Sequence, residues 1–272
     1  MQSREAYLAK LEDTAREIFG ARAALYTTSA AHTDPQVLAR VVALAQLEPD
    51  WDALDIATGT GHTALALAPH VGSVIGTDLT PEMLAEAEQL RVRRGVTNVE
   101  FRVADVHALP FADGTFHLVT CRRAAHHFSK IAMALREMHR VLRPGGRLVI
   151  DDRSVPEDDF VDRTMNELDR LHDASHVRQY RPSEWQRLLA DAGFIIEAME
   201  PYQKHRPLSA LTAGVSADDV ARIHTVVDGF DAAQRALFNL IEVNGTLHLT
   251  HWYILLAARA RAGAGSPHKA PS

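Results

Sequence analysis

Apolar positions recur with a helical period over residues 4–19 and 35–47, so the chain opens on two amphipathic helices, with Asp34 as N-cap and Pro35 in the first turn of the second. From Leu54 onward the pattern changes. Short apolar runs, expected as strands, begin at Leu54 and cover 73–77, 99–103, 116–121 and 147–150, while helix-period stretches fill 63–68, 81–94 and 130–142. Such alternation predicts a doubly wound, mostly parallel sheet with helices on both faces. The helix at 81–94 has the clearest ends: Thr80 caps it, Pro81 and Glu82 occupy the first turn, and Gly95 stops it.

Beyond Ile150 the pattern loosens. Residues 151–159 are rich in acids and turn formers, a polar helical stretch runs to Leu171, and 175–182 reads as a loop beside a site. A helix at 185–192 ends at Gly193, a strand follows at 194–199, and two helical stretches up to Leu240 form an insertion before the last strand. That strand, 246–257, first alternates Leu247, Leu249 and Trp252 with His248, Thr250 and His251, the mark of an edge or antiparallel element. The division expected is a helical cap at 1–50, a main domain at 51–261 with substrate-side segments 151–185 and 203–244, and a disordered tail at 262–272.

Composition narrows the function. At 272 residues and 46% hydrophobic, the chain fills one sizeable core. Lys plus Arg number 29 against 35 Asp plus Glu, a net charge of −6 with no basic run, which argues against nucleic acid as a partner. One cysteine, Cys121, excludes an internal disulfide framework and a Cys-rich metal site and suits a reducing compartment, so cytoplasm is expected. The first residues, Met1-Gln2-Ser3-Arg4-Glu5, open a charged stretch, and no run of about 18 apolar residues occurs, so neither an export signal nor a membrane span is expected.

The chemistry concentrates at Ala53-Leu54-Asp55-Ile56-Ala57-Thr58-Gly59-Thr60-Gly61, an apolar run that breaks into a Gly-rich turn before a helix. Gly59 and Gly61 allow a tight turn and close approach of backbone to a ligand. Asp78 closes the next apolar run, 17 positions after Gly61, where a strand-end carboxylate takes both hydroxyls of a ribose. An adenosine derivative is the expected ligand. Residues 59–64, Gly-Thr-Gly-His-Thr-Ala, also satisfy the nicotinamide fingerprint with alanine in third place. Against that reading, a dinucleotide site has no use for Asp105, and Asp55 would repel a pyrophosphate where it would attract an ammonium.

Five motifs in fixed order resemble the class I S-adenosylmethionine-dependent methyltransferases, in particular the small-molecule branch of ubiquinone- and menaquinone-biosynthesis type. They are Leu54-Asp55-Ile56-Ala57-Thr58-Gly59-Thr60-Gly61, Gly76-Thr77-Asp78-Leu79-Thr80-Pro81-Glu82-Met83-Leu84, Ala104-Asp105-Val106-His107-Ala108-Leu109-Pro110-Phe111, Phe116-His117-Leu118-Val119-Thr120-Cys121 and Arg140-Val141-Leu142-Arg143-Pro144-Gly145-Gly146. The resemblance implies a Rossmann-like sheet of seven strands with the last antiparallel. It implies S-adenosylmethionine as cofactor, with its methionyl end on the Gly59 to Gly61 backbone and Asp55 anchoring the loop or the amine. Asp78 would hold the ribose, Leu79 would lie under the adenine, and Asp105 would accept from the adenine amino group between Ala104 and Val106. Thr58, Thr60, Met83, Cys121, Arg122 and Tyr26 complete the expected cofactor set. Ala57 departs from the family, in which many relatives carry a glycine. The Arg143-Pro144-Gly145-Gly146 stretch reads as a helix end and turn.

Methyl transfer from a sulfonium is an in-line displacement, so the protein positions the acceptor, excludes water and, where needed, removes a proton. His127 and His126, just past the fourth strand, are the candidate bases, with one of the two rings expected to face the site; His176 is a third candidate. Arg153, Arg178 and Arg181 are candidates for recognising an acceptor carboxylate or phosphate. Tyr26 and His32, in the connection between the first two helices, form a candidate lid, with His32 towards the acceptor. His172 and His176 stand four apart, a helical zinc-ligand spacing, but no third ligand accompanies them, so no metal is expected. A nicotinamide oxidoreductase and a non-catalytic S-adenosylmethionine-binding module are the alternatives.

Overall fold

The computed structural model describes residues 2–261, so the tail expected at 262–272 lies outside the described residues. The chain begins with α1 (Gln2–Thr28), α2 (Ala30–Thr33) and α3 (Pro35–Ala45), then enters β1 (Asp52–Ile56), α4 (His62–Leu67), β2 (Ser73–Asp78), α5 (Pro81–Arg93) and β3 (Val99–Val103). Next come β4 (Phe116–Arg122), a 3₁₀ turn (Ala125–His127), α6 (Ile131–Val141), β5 (Leu142–Ser154), α7 (Asp159–His172), α8 (Pro182–Asp191) and β6 (Phe194–Pro207). Last are α9 (Ser209–Thr212), α10 (Ala217–Asp228), α11 (Ala232–Leu237), β7 (Ile241–Val243) and β8 (Thr246–Ala260).

The sheet runs β3-β2-β1-β4-β5-β8-β6, with β7 paired to β8. Neighbours from β3 to β5 are parallel, and β8 is antiparallel to both β5 and β6. Strand order reverses between β1 and β4, which opens a crevice beyond their carboxyl ends. The expected seven strands are joined by β7, because Asn244 (φ 50°) and Gly245 (φ 75°) make a two-residue hairpin from Val243 to Thr246.

Several boundaries differ from expectation. β6 continues from 199 to Pro207 as the edge strand beside β8; its prolines at 201 and 207 and its charges at 204–206 mask a strand in the sequence, yet an edge tolerates both. α1 continues through Gly20 to Thr28, so Tyr26 belongs to a helix rather than to a connection, while His32 sits in the short α2. Residues 143–146 are a bulge within β5, with Gly145 at φ 77° and the pairing slipping between Phe116 and Leu118.

Each face of the sheet is packed. Phe116, Leu135, Met138, Trp185 and Phe194 fill one side under α6 and α8; Val41, Ala45, Leu65, Leu118 and Leu255 fill the other under α3 and α4. Met165, Leu168, Ile223, Val227 and Phe238 build a third core among α7, α10 and the segment beyond them, which walls the crevice on its β5 and β8 side.

Candidate active site

The turn from β1 into α4 places Ala57 (φ 50°), Gly59 (φ 54°) and Gly61 (φ 82°) in the left-handed region. Glycine adopts it freely, whereas Ala57 carries roughly 1 kcal/mol of backbone strain. A Cβ on Gly59 would meet nothing within 4 Å, so this edge of the loop faces open space. Gly61 has a different task. A Cβ there would come within 2.8 Å of the Phe101 ring and 3.1 Å of Ala87, so its missing side chain seats α4.

Two buried acids fasten the loop. Asp78 accepts from the backbone N–H of Gly59 and of Thr80, each at 2.9 Å, and so ties the tips of β1 and β2 together. Burial raises its pKa against the pull of those N–H donors. Each of its oxygens keeps a lone pair, the number two vicinal hydroxyls require. Asp55 accepts from Thr58 and Thr120 hydroxyls, both at 2.6 Å, and burial pushes it up to about 6 although both hydroxyls and Arg122 favour its ionised form. Its bonds anchor the loop to β4.

Around this turn lies a cavity of about 1100 Å³, counting its open mouth. Asp55, Ala57, Thr58, Gly59 and Thr60 line it from the β1 loop, and Asp78, Leu79 and Met83 from β2 and α5. Ala104, Asp105, Val106, Arg122, Tyr26 and His32 line it as well. Asp105 holds the loop after β3, its Oδ1 accepting from the His107 backbone at 2.8 Å and lying 2.7 Å from His107 Nδ1. Two expected members stand outside. Gly61 packs on Phe101, and Cys121 is sealed in the core, where burial drives its thiol well above the usual range.

Arg122 donates through Nε to Thr63 and through Nη2 to the His32 carbonyl, both at 2.8 Å, while its buried Nη1 has no partner. His62 Nδ1 is buried and unpartnered on the same cavity. Open space at Gly59, spare acceptor capacity at Asp78 and an orphan guanidinium nitrogen suit a ligand that carries a ribose and a carboxylate. S-adenosylmethionine fits that donor set. Phe19, Thr63 and Arg123 also line the cavity, and the sequence singled out none of them.

A second cavity of about 940 Å³ adjoins the first and shares Phe19, Tyr26, His32, Arg123 and His127 with it. His126 and His127 both line it, with ring centroids 4.0 Å apart, and of the two only His127 also lines the first cavity. Their 3₁₀ turn leaves the two rings tilted by 44° on one side. His127 Nδ1 lies 3.0 Å from Ser175 Oγ and 3.2 Å from its carbonyl, and Ser175 Oγ donates to Asp173 at 2.6 Å. Burial, then His126, holds the His127 pKa below its ordinary value. His126 Nδ1 lies 2.5 Å from Asp152 Oδ1, and its backbone N–H donates to Asp152 Oδ2.

The remaining candidates divide. His176 lines the second cavity with Nε2 at 3.0 Å from Asn166 Oδ1, and burial takes it down to about 3. Arg153 lines it too, bonded to Asp169 at 2.5 Å. Arg178 lines neither cavity; Asp162 and Glu184 take its Nη2 at 3.0 and 2.9 Å. Arg181 is likewise held by Asp159 and Asp162. Both arginines close the α7 to α8 loop, so an acceptor role is withdrawn for them. α7 ends at His172, so His172 and His176 share no helix face, and among the described residues no group of three or more His, Cys, Asp or Glu side chains is placed to hold a metal.

Residues 54–150 match the family described as a methyltransferase domain. A methyltransferase of Bacillus subtilis called YcgJ, itself uncharacterised, is 40% identical over 172 residues, 63% of this chain and 68% of that protein. Its crystal structure superposes with a TM-score of 0.79 at 34% identity, over 84% of this chain and 99% of that one. The demethylmenaquinone methyltransferase of Thermus thermophilus is 44% identical over 113 residues, 41% of this chain and 51% of that protein. With the nicotinamide reading of residues 59–64 thereby set aside, the chain belongs to the class I S-adenosylmethionine-dependent methyltransferases, and S-adenosylmethionine is its methyl donor.

Proposed function

We propose that the protein methylates a small-molecule acceptor seated in the second cavity by in-line displacement. The observation that carries this reading is the shared wall: His127 and Arg123 face both cavities, so a donor in one and an acceptor in the other meet beside them. The demethylmenaquinone relative lends weight to a small organic acceptor, as does the net charge of −6 against a nucleic acid.

In this reading Asp78 accepts from both ribose hydroxyls, Leu79 and Met83 pack on the adenine, and Asp105 accepts from its amino group between Ala104 and Val106. Thr58, Gly59 and Thr60 cradle the methionyl end, Arg122 Nη1 takes its carboxylate, and Asp55 keeps the loop in place. Bound S-adenosylmethionine supplies an electrophilic methyl on a sulfonium. His127 serves as general base: its Nδ1–H donates to the Ser175 carbonyl, its Nε2 takes the acceptor's proton, and Asp173 behind Ser175 favours the resulting charge. Asp152 fixes the His126 ring beside it. Residues 1–50 act as a cap, with Tyr26 and His32 closing over the junction, and 151–185 and 203–244 shape the acceptor side of the 51–261 domain.

No described helix is long and apolar enough to cross a membrane. A buried, unpaired Cys121 accords with the cytoplasm. The test is transfer of labelled methyl from S-adenosylmethionine to a panel of small phenols, acids and amines. Turnover is expected, and His127→Ala should lower kcat about 10²-fold or more with S-adenosylhomocysteine affinity intact. Unchanged kcat in both His127→Ala and His126→Ala would remove the histidine base.

A further inference from the structure

The second cavity has an electrostatic asymmetry. Its sheet-side wall carries three guanidinium groups: Arg123 at the end of β4, Arg153 on β5 and Arg206 on β6. Arg123 commits Nε to Asp151 and Nη2 to the Tyr202 hydroxyl, and lies 3.9 Å over the Tyr253 ring. Arg153 commits Nη1 to Asp169. Among the described residues, no carboxylate pairs with Arg206, which sits beside the Tyr253 hydroxyl instead.

Two of the three are balanced, Arg123 by Asp151 and Arg153 by Asp169, which leaves Arg206 as the guanidinium without a carboxylate. Asp169 is bonded to Arg153 and to the Gln179 amide, and Asp173 accepts from the Ser175 hydroxyl and backbone. Tyr253, buried beside them, responds to all three. Burial raises a phenol's pKa, yet Arg153, Arg123 and Arg206 together outweigh that effect and hold it below its ordinary value. The imidazoles respond in the same sense: burial and then nearby cations take His32 and His251 down to about 3, with Arg153 acting on both. Neutral, His32 keeps an N–H on the cavity wall, while His251 is buried outside the lining with its Nε2 unpartnered.

We infer that the acceptor carries an anionic group, a carboxylate or a phosphate, which seats on Arg206 and Arg153 while the acceptor's reacting atom reaches the wall at His127. This rests on the second cavity being the acceptor site. Guanidinium groups held on a rigid wall recognise such oxygens through paired N–H donors. Arg206 is the discriminating side chain, because its two companions are already paired.

The full chain saturated with S-adenosylhomocysteine is titrated calorimetrically with benzoate, phenyl phosphate and neutral benzamide. Benzoate or phenyl phosphate should bind at least 10-fold more tightly than benzamide, the stronger of the two fixing the group's identity. Arg206→Met should abolish the preference with S-adenosylhomocysteine affinity unchanged, which also certifies the fold, and Arg206→Lys should keep part of it. Equal binding of amide and anions, no binding of either anion, or wild-type preference in Arg206→Met would overturn the inference. Failure of the wild type to bind S-adenosylhomocysteine would instead overturn the cofactor site itself.

Discussion

At the scale of single residues, the site rests on acids whose work is divided. Asp78 stays partly exposed at the cofactor cavity, whereas Asp55 is buried between two threonine hydroxyls. Asp78→Ala removes both ribose acceptors and the clamp on Gly59, so S-adenosylhomocysteine affinity is expected to fall about 100-fold or more by calorimetry. These acids were legible because strand-end position and spacing alone specify them. Arg123 was not. Its place on both cavities depends on a left-handed φ of 56° and on Asp151 and Tyr202, partners 28 and 79 positions away that no local pattern announces. For Arg178 the failure ran the other way, since an arginine's type says nothing of the acids that Asp162 and Glu184 bring to it.

At the scale of elements, the β1 to α4 turn concentrates the strain. Ala57→Gly relieves a left-handed alanine, and after the added entropy of the unfolded chain a gain of about 0.5 kcal/mol is expected in denaturant unfolding. Gly61→Ala combines φ 82° with a contact at 2.8 Å to Phe101 and should cost about 2–4 kcal/mol. If Gly61→Ala leaves stability unchanged, the turn is more yielding than its packing implies. Strands β1, β4 and the middle of β5 announced themselves because both their faces are covered and their apolar runs are short and continuous, whereas β3 at the edge showed only alternation. β6 hid its second half, where exposed Gln203 and His205 alternate with partly covered Tyr202, Lys204 and Arg206, and β7 owes its existence to a two-residue Asn244-Gly245 turn.

For the whole molecule, buried histidines make stability depend on pH. His32, His176 and His251 are held near 3 in the fold, against 6.5 as their ordinary value. Between those limits the unfolded chain binds more protons than the native one, so their contribution is present above about 6.5 and is lost as pH falls. Asp55 opposes them. Raised to about 6, it binds its proton in the fold and favours acid between 3.8 and 6, one group against three. His127, also held low in the fold, adds to the three, so near pH 5 unfolding takes up protons on balance and stability falls as the pH falls. The midpoint of thermal unfolding should therefore drop clearly from pH 7.5 to pH 5, and equal midpoints would contradict buried, neutral imidazoles in the fold. Nothing in the sequence foretold this, because the five histidines of the second cavity come from four separate segments.

The two-cavity arrangement is tested most directly by a crystal structure with S-adenosylhomocysteine bound. The account predicts ribose hydroxyls on Asp78, the amino acid end at Gly59 and Arg122, and the sulfur at the wall shared by His127 and Arg123, opening onto the second cavity. A sulfur turned away from that wall, or a ribose clear of Asp78, would contradict it.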